Sequence, residues 1–288
     1  MGFHDGDWDA NTRFGAIRDV VEAVDRCAPE TKRRLAEETD LSEHYISEIV
    51  QELKRNGLIR KGYVVDRAAM YEHAVTVTTF GPDDDRSAAL LELFEQLDDV
   101  TRRQYDAASA TFAEGTPDPA ATTLEPLVNE RYEVVLKELK TLTIRSDWPG
   151  NRVVADLARI AQNMEIVGDR ACFIENAIET TETLPRGIIC DRIETVFEDG
   201  QRINDHFGTI FFEANLECVD ALYDLEREVH RTLDELFELV TAYDPAVYGS
   251  VVGIIRTLER CLHYWVSAAE IAVRLHTGLD QRFPLTVS

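Results

Sequence analysis

The residues best suited to chemistry are side chains spaced four apart that could share a ligand. Glu165 with Asp169 and Glu259 with His263 stand at that spacing, and Asp220, Asp224 and Glu228 continue it as a run of three. On a helix, such residues project from one face about a turn apart. Two ionised carboxylates placed so repel each other, and a cation held between neighbouring helices removes the repulsion. All-oxygen donors suit magnesium, manganese or iron, and the imidazole of His263 adds zinc to the choices. The competing reading is solvation, because 54 acids in 288 residues place many such pairs on water-facing surfaces.

Catalysis is not expected. No histidine has a glutamate three residues before it, so the Glu-x-x-His of a di-iron bundle is missing. Glycine-rich phosphate loops, His-Glu-x-x-His and the nucleophile elbow are also missing. Arg159, Arg170 and Arg192 could contact phosphate, although arginine among acids more often forms ion pairs. The five cysteines are scattered singly and read as reduced small hydrophobes.

Positioning these residues requires long helices. The sequence predicts six of them, at 86–114, 124–144, 151–182, 191–215, 216–241 and 248–276, with breaks at Gly115-Thr-Pro-Asp-Pro119, Trp148-Pro149-Gly150 and Tyr243-Asp-Pro245. They form two sets of three. At an offset of 94 residues, the stripe Leu157, Ile160, Met164, Val167, Ala171 falls on Val251, Ile254, Leu258, Cys261, Trp265. The near-3.5 spacing favours near-parallel helix axes in a bundle.

The N-terminal segment is different in kind. From Thr12 to Arg67 there are 11 bases and 11 acids, whereas residues 68–288 carry −21 of the net −24. A neutral segment in so acidic a chain is suited to approach a polyanion. It opens with an amphipathic helix through Phe14, Ile17, Val20, Val21 and Val24, ending near Cys27-Ala-Pro29. A short helix at 30–38, a turn at Thr39-Asp40-Leu41 and a helix capped by Ser42 follow. Gly57 ends that helix, and Leu58 to Val65 reads as a small β-hairpin.

That order of elements, with the run LAEETDLSEHYISEIVQELKRNGLIRKGY, resembles the winged helix-turn-helix family. The resemblance implies DNA contact by Ser42, Glu43, His44, Tyr45 and Ser47 at the start of the second helix, and by Arg60, Lys61 and Tyr63 on the wing. Glu43 and Glu48 depart from the pattern, since they repel phosphate. Use of the module for protein contact is the alternative.

A second resemblance lies in ARIAQNMEIVGDRACFIENAIE, residues 158–179, which is similar to the signature helix of the phosphate-uptake-regulator (PhoU) family. Glu165, Gly168, Asp169, Ala171, Ile174 and Glu175 match it, and Ile166 stands where arginine is usual. The later copy, LERCLHYWVSAAEIA, matches at Leu258, Glu259 and Arg260 but has Leu262 for the glycine and His263 for the aspartate. This resemblance implies metal clusters on the helices and control of phosphate uptake.

The expected protein is mainly α-helical, with a winged helix-turn-helix at 10–68, a connector at 69–85 and two three-helix PhoU-like repeats at 86–182 and 183–288. The expected function is transcriptional control of phosphate uptake or phosphate-status signalling by a homodimer on DNA. An adaptor acting on a phosphate transporter ATPase or a sensor kinase is the alternative. No membrane span and no signal peptide are expected, which points to the cytoplasm. Acid excess with only five lysines points to a halophilic one.

Overall fold

The structure is a computed structural model that describes residues 6–27, 29, 31–60, 64–74, 78, 80, 85–113, 115–145, 148–181, 184–242 and 245–279. It is mainly helical. In order, the elements are α1 (Gly6–Cys27), α2 (Lys32–Thr39), α3 (Glu43–Arg55), β1 (Ile59–Arg60), β2 (Val64–Val65) and α4 (Arg67–Glu72). Six long helices follow: α5 (Asp85–Phe112), α6 (Ala121–Arg145), α7 (Asn151–Glu179), α8 (Ile188–Glu213), α9 (Val219–Thr241) and α10 (Pro245–Thr277). No helix among the described residues is long and apolar enough to cross a membrane.

The first elements share a small core of their own. Ile17, Val20, Val21 and Val24 of α1 meet Leu35, Ile46, Ile49, Val50 and Leu53 of α2 and α3, with Leu58 and Met70 closing the cluster. Local chemistry sets the boundaries. Thr31 Oγ1 accepts from Arg34 N at 3.3 Å to start α2, and Asp40 at φ 56 ends it in the left-handed region. Ser42 Oγ accepts from Tyr45 N at 3.3 Å and starts α3, as its sequence position predicts. The antiparallel strands pair Ile59 with Val65 and Arg60 with Val64.

Next to this core, Asp66 caps helix α4 by accepting from Ala69 N, and Tyr71 and Glu72 end that helix. Aspartate before Arg67-Ala-Ala is an N-cap signal. Val75, Thr76, Val77 and Thr79 lie outside the described residues.

The bundle is organised by α7 and α10. Asp156 accepts from Arg274 at 2.5 and 3.3 Å, while Arg170 lies beside Cys261. Advancing fourteen residues along α7 therefore retreats thirteen along α10, so the two helices run antiparallel. The stripe residues identified above, from Leu157 to Ala171 and from Val251 to Trp265, are all buried between the helices. The α5 and α8 helices also run antiparallel, with Asp98 accepting from Asn204 Nδ2 at 3.0 Å and Tyr105 Oη donating to Phe197 O at 3.3 Å. Proline and glycine punctuate as expected. Pro245 begins α10, where its missing N–H costs nothing, and Gly150 precedes α7 at φ 93.

Two signature residues of α7 have structural roles. A Cβ on Gly168 would meet Gln104 Oε1 of α5, so a larger residue here would displace the Gln104 amide. Glu175, 1% exposed, accepts from Ala121 N and Thr122 N, each at 2.9 Å, and from Thr122 Oγ1. It thus caps α6 from another helix, where no local side chain does. Replacing Glu175 with Ala is expected to cost about 3 kcal/mol in denaturant unfolding, because two amides lose their acceptor. Glu175→Gln should cost roughly half of that.

Burial between α5 and α8 pushes the Asp98 carboxyl up to about 6. A raised carboxylate holds its proton more tightly when folded, so its penalty is absent at low pH and accrues as pH rises through that range. Asp98→Asn is expected to gain about 1 to 2 kcal/mol over wild type at pH 8 and little at pH 4. A melting series across pH measures the difference.

Candidate functional site

Two surfaces carry the residues singled out by sequence. On α3, Ser42, Glu43 and His44 are exposed, whereas Tyr45 and Ser47 are half-buried. Their atoms are not equally available. Ser42 Oγ is committed to its cap, Tyr45 packs against the small core, and Ser47 Oγ accepts from Lys32 Nζ at 2.9 Å. His44 stands 3.6 Å from Glu48 in an i, i+4 pair. Glu43 and His44 therefore form the reaching edge of α3.

Exposed bases lie elsewhere on the same two helices, at the start of α2 and in the last turn of α3. Arg33, Arg34, Lys54 and Arg55 are exposed, and Arg34 has no ion-pair partner among the described residues. The signal for them was the local charge balance, which no motif used. Of the residues expected on a wing, Arg60 lies in β1, and its side chain, with all of Lys61 and Tyr63, lies outside the described residues.

The candidate metal ligands divide differently from the expectation. Glu165 and Asp169 are neighbours, because burial and then the Asp169 charge push the Glu165 carboxyl upward. Across from them α6 offers Tyr132, whose hydroxyl is in turn raised by burial and by Glu165. A phenol thus stands beside Glu165, where a cation site would need a further donor.

The second set assembles more. Glu259 and His263 of α10 line a small hollow with Glu226 and His230 of α9, over Ile203, Val229, Leu233 and Leu262. Glu226 lies 3.8 Å from His230, and this contact, more than the burial opposing it, raises the imidazole pKa. Glu259 is also bonded by Arg256 at 2.8 Å. Next along the seam, burial and the Glu226 charge raise Glu270 to about 7.

Asp220, Asp224 and Glu228 do not join this face. All three are exposed, with Asp224 paired to Arg227 and Glu228 to Arg231. The reason is helical phase. The buried stripe of α9 runs through Leu222, Leu225, Val229, Leu233 and Leu236. At 100° per residue, Glu226 and His230 flank it on the α10 side, while Asp220, Asp224 and Glu228 fall on the outer and opposite flanks. Measuring each acid against the stripe would have found the right pair.

Among the described residues, no group of three or more His, Cys, Asp or Glu side chains stands together so as to hold a metal ion. Donor types at the α9–α10 hollow suit zinc or iron, but as arranged Glu226 is engaged with His230 and Glu259 with Arg256.

No family model, no curated protein and no solved structure matches the chain. The two family resemblances therefore rest on the residues quoted for them.

A zinc titration separates the two faces. Uptake measured by calorimetry is expected to fall at least tenfold when His230 and His263 are both alanine, and to survive Glu165→Ala with Asp169→Ala, because imidazole supplies the stronger zinc donors. Equal loss in both double variants would place the site elsewhere.

Proposed function

We propose that the protein is a DNA-binding transcriptional regulator of phosphate uptake or phosphate-status signalling. In this reading the N-terminal elements are a winged helix-turn-helix and the six long helices are two PhoU-like repeats acting as the sensing part. The observation that carries it is a helix-turn-helix with a core of its own, near-neutral inside a strongly acidic chain, that presents the start of α3 to solvent. Neutrality lets this end approach phosphates that the −21 of the remainder would repel.

The repeat reading has support of its own. Tyr132 lies by Glu165, and 94 residues later Glu226 and His230 lie by Glu259. The same offset thus relates α6 with α7 to α9 with α10. Control of phosphate genes rests on the PhoU resemblance alone.

One module of zero net charge binds DNA weakly, so two copies on two half-sites are needed, as a homodimer in the cytoplasm. The bundle acts as a two-state element whose occupancy changes how the paired modules sit. The adaptor reading, with contact to a transporter ATPase or sensor kinase, draws on Glu43 and Glu48 of α3 and on Phe173 at 50% exposure.

Selection of binding sites from fragmented genomic DNA, followed by gel shift, decides between them. The expected result is a selected sequence whose affinity drops at least tenfold in Arg34→Glu with Lys54→Glu, with a shallower salt dependence. Absence of any selected sequence across the salt range would sink the regulator reading in favour of the adaptor.

A further inference from the structure

The N-terminal core contains one residue from the far end of the described chain. Leu279 is fully buried in the cluster of Ile17, Val20, Val21 and Leu35, more than two hundred residues away in sequence. It is delivered by α10. Gly278 N donates to Arg274 O at 2.8 Å, and Gly278 at φ 74 turns the chain out of the helix. Leu279 N then donates to Thr277 Oγ1 at 3.1 Å, which fixes the direction of the turn.

The approach at this turn is close. A Cβ on Gly278 would stand 2.7 Å from Arg18 Cγ and 3.3 Å from Arg18 O, so α1 leaves no room for a side chain there. Charge ties the same place. Glu22 of α1 is paired with Arg152 at the start of α7. Asp156, one turn on, accepts from Arg274, the residue that also accepts the Gly278 amide bond. Burial lowers the pKa of Arg18, whose charge lies near Arg152 and Asp156.

The last turn of α10 is held from the other side as well. His276, 1% exposed, has Nδ1 3.1 Å from Thr78 Oγ1 of the connector and Nε2 3.3 Å from Phe211 O of α8. Phe80, two residues beyond Thr78, stacks at 6.4 Å on both Trp148 and Phe211. Connector, bundle and N-terminal core thus meet on Arg274 to Leu279. The same helix forms the α9–α10 seam with Glu259, His263 and Glu270, the last of these one turn before Arg274.

We propose that the C-terminal turn of α10, with Leu279 as its plug, is a clasp that holds the N-terminal module against the bundle and transmits shifts of α10 to α1. Seated, the plug fixes α1 over the start of α7. Withdrawn, it leaves Glu22–Arg152 as a single partly exposed ion pair, too weak to hold the module in place. A helix moves as a rigid body, so displacement at the seam reaches Gly278 without any change in α2 or α3.

The clasp itself does not depend on DNA binding; its consequence for recognition rests on the regulator reading. Hydrogen exchange on the full chain tests the first. In Leu279→Ala the amides of residues 16–24 are expected to exchange at least tenfold faster than in wild type, with α2, α3 and α5 to α9 unchanged and Leu279→Met restoring protection. Unchanged exchange in α1 would overturn the clasp. Equal acceleration in α1, α2 and α3 would also overturn it, since Leu279 would then be an ordinary part of that core. With a selected DNA duplex, Leu279→Ala is expected to change Kd at least threefold and Leu279→Met not at all. An unchanged Kd alongside accelerated α1 exchange would overturn the transmission step. Failure of wild type to bind any duplex would instead sink the regulator reading, leaving the exchange result to decide the clasp.

Discussion

Everything in this protein is hung on the antiparallel packing of α7 against α10. Their apolar stripes are buried along the helices, and each helix packs on further neighbours as well: α5 and α6 against α7, α8 and α9 against α10. The ion pair across this pair of helices, Asp156 with Arg274, joins the start of α7 to the end of α10 and leaves the apolar contact between them uninterrupted. Close packing makes such an interface bistable in place of continuously deformable, so a change on either flank moves a helix as a unit.

The two flanks have diverged chemically while keeping their geometry. Beside α7, Glu165 faces the phenol of Tyr132, a position that neither binds a cation well nor neutralises the acid. Beside α10, two carboxylates and two imidazoles crowd one hollow, with Glu270 held near neutrality by burial. This seam lies on the helix that ends in the N-terminal core. The proposed clasp makes the seam and the module two ends of one element.

Much of the fold was legible because its signals are local. The cap at Ser42, the left-handed turn at Asp40, Pro245 at the start of α10 and Gly150 before α7 are decided by backbone chemistry within a few residues. The apolar stripes of α7 and α10 were legible for the same reason. Helix α4 was not, because it is only six residues long and the Asp66 cap is its one local signal. The i, i+4 acids of α9 misled because spacing along a helix is independent of phase around it, and only the position of Leu222, Val229 and Leu233 fixes that phase.

What the sequence by itself determined is the helical class, the approximate ends of the elements, the neutrality of the first segment and the pairing of Glu165 with Asp169. These depend on neighbours within a few turns. Tertiary structure alone decided that Glu226 and His230 face Glu259 and His263, that Glu175 caps α6 and Gly168 receives Gln104, and that Leu279 completes a core begun at residue 16. Each of these joins groups dozens or hundreds of residues apart. No periodicity encodes such a meeting, because it is fixed by which helix faces must be withdrawn from water together.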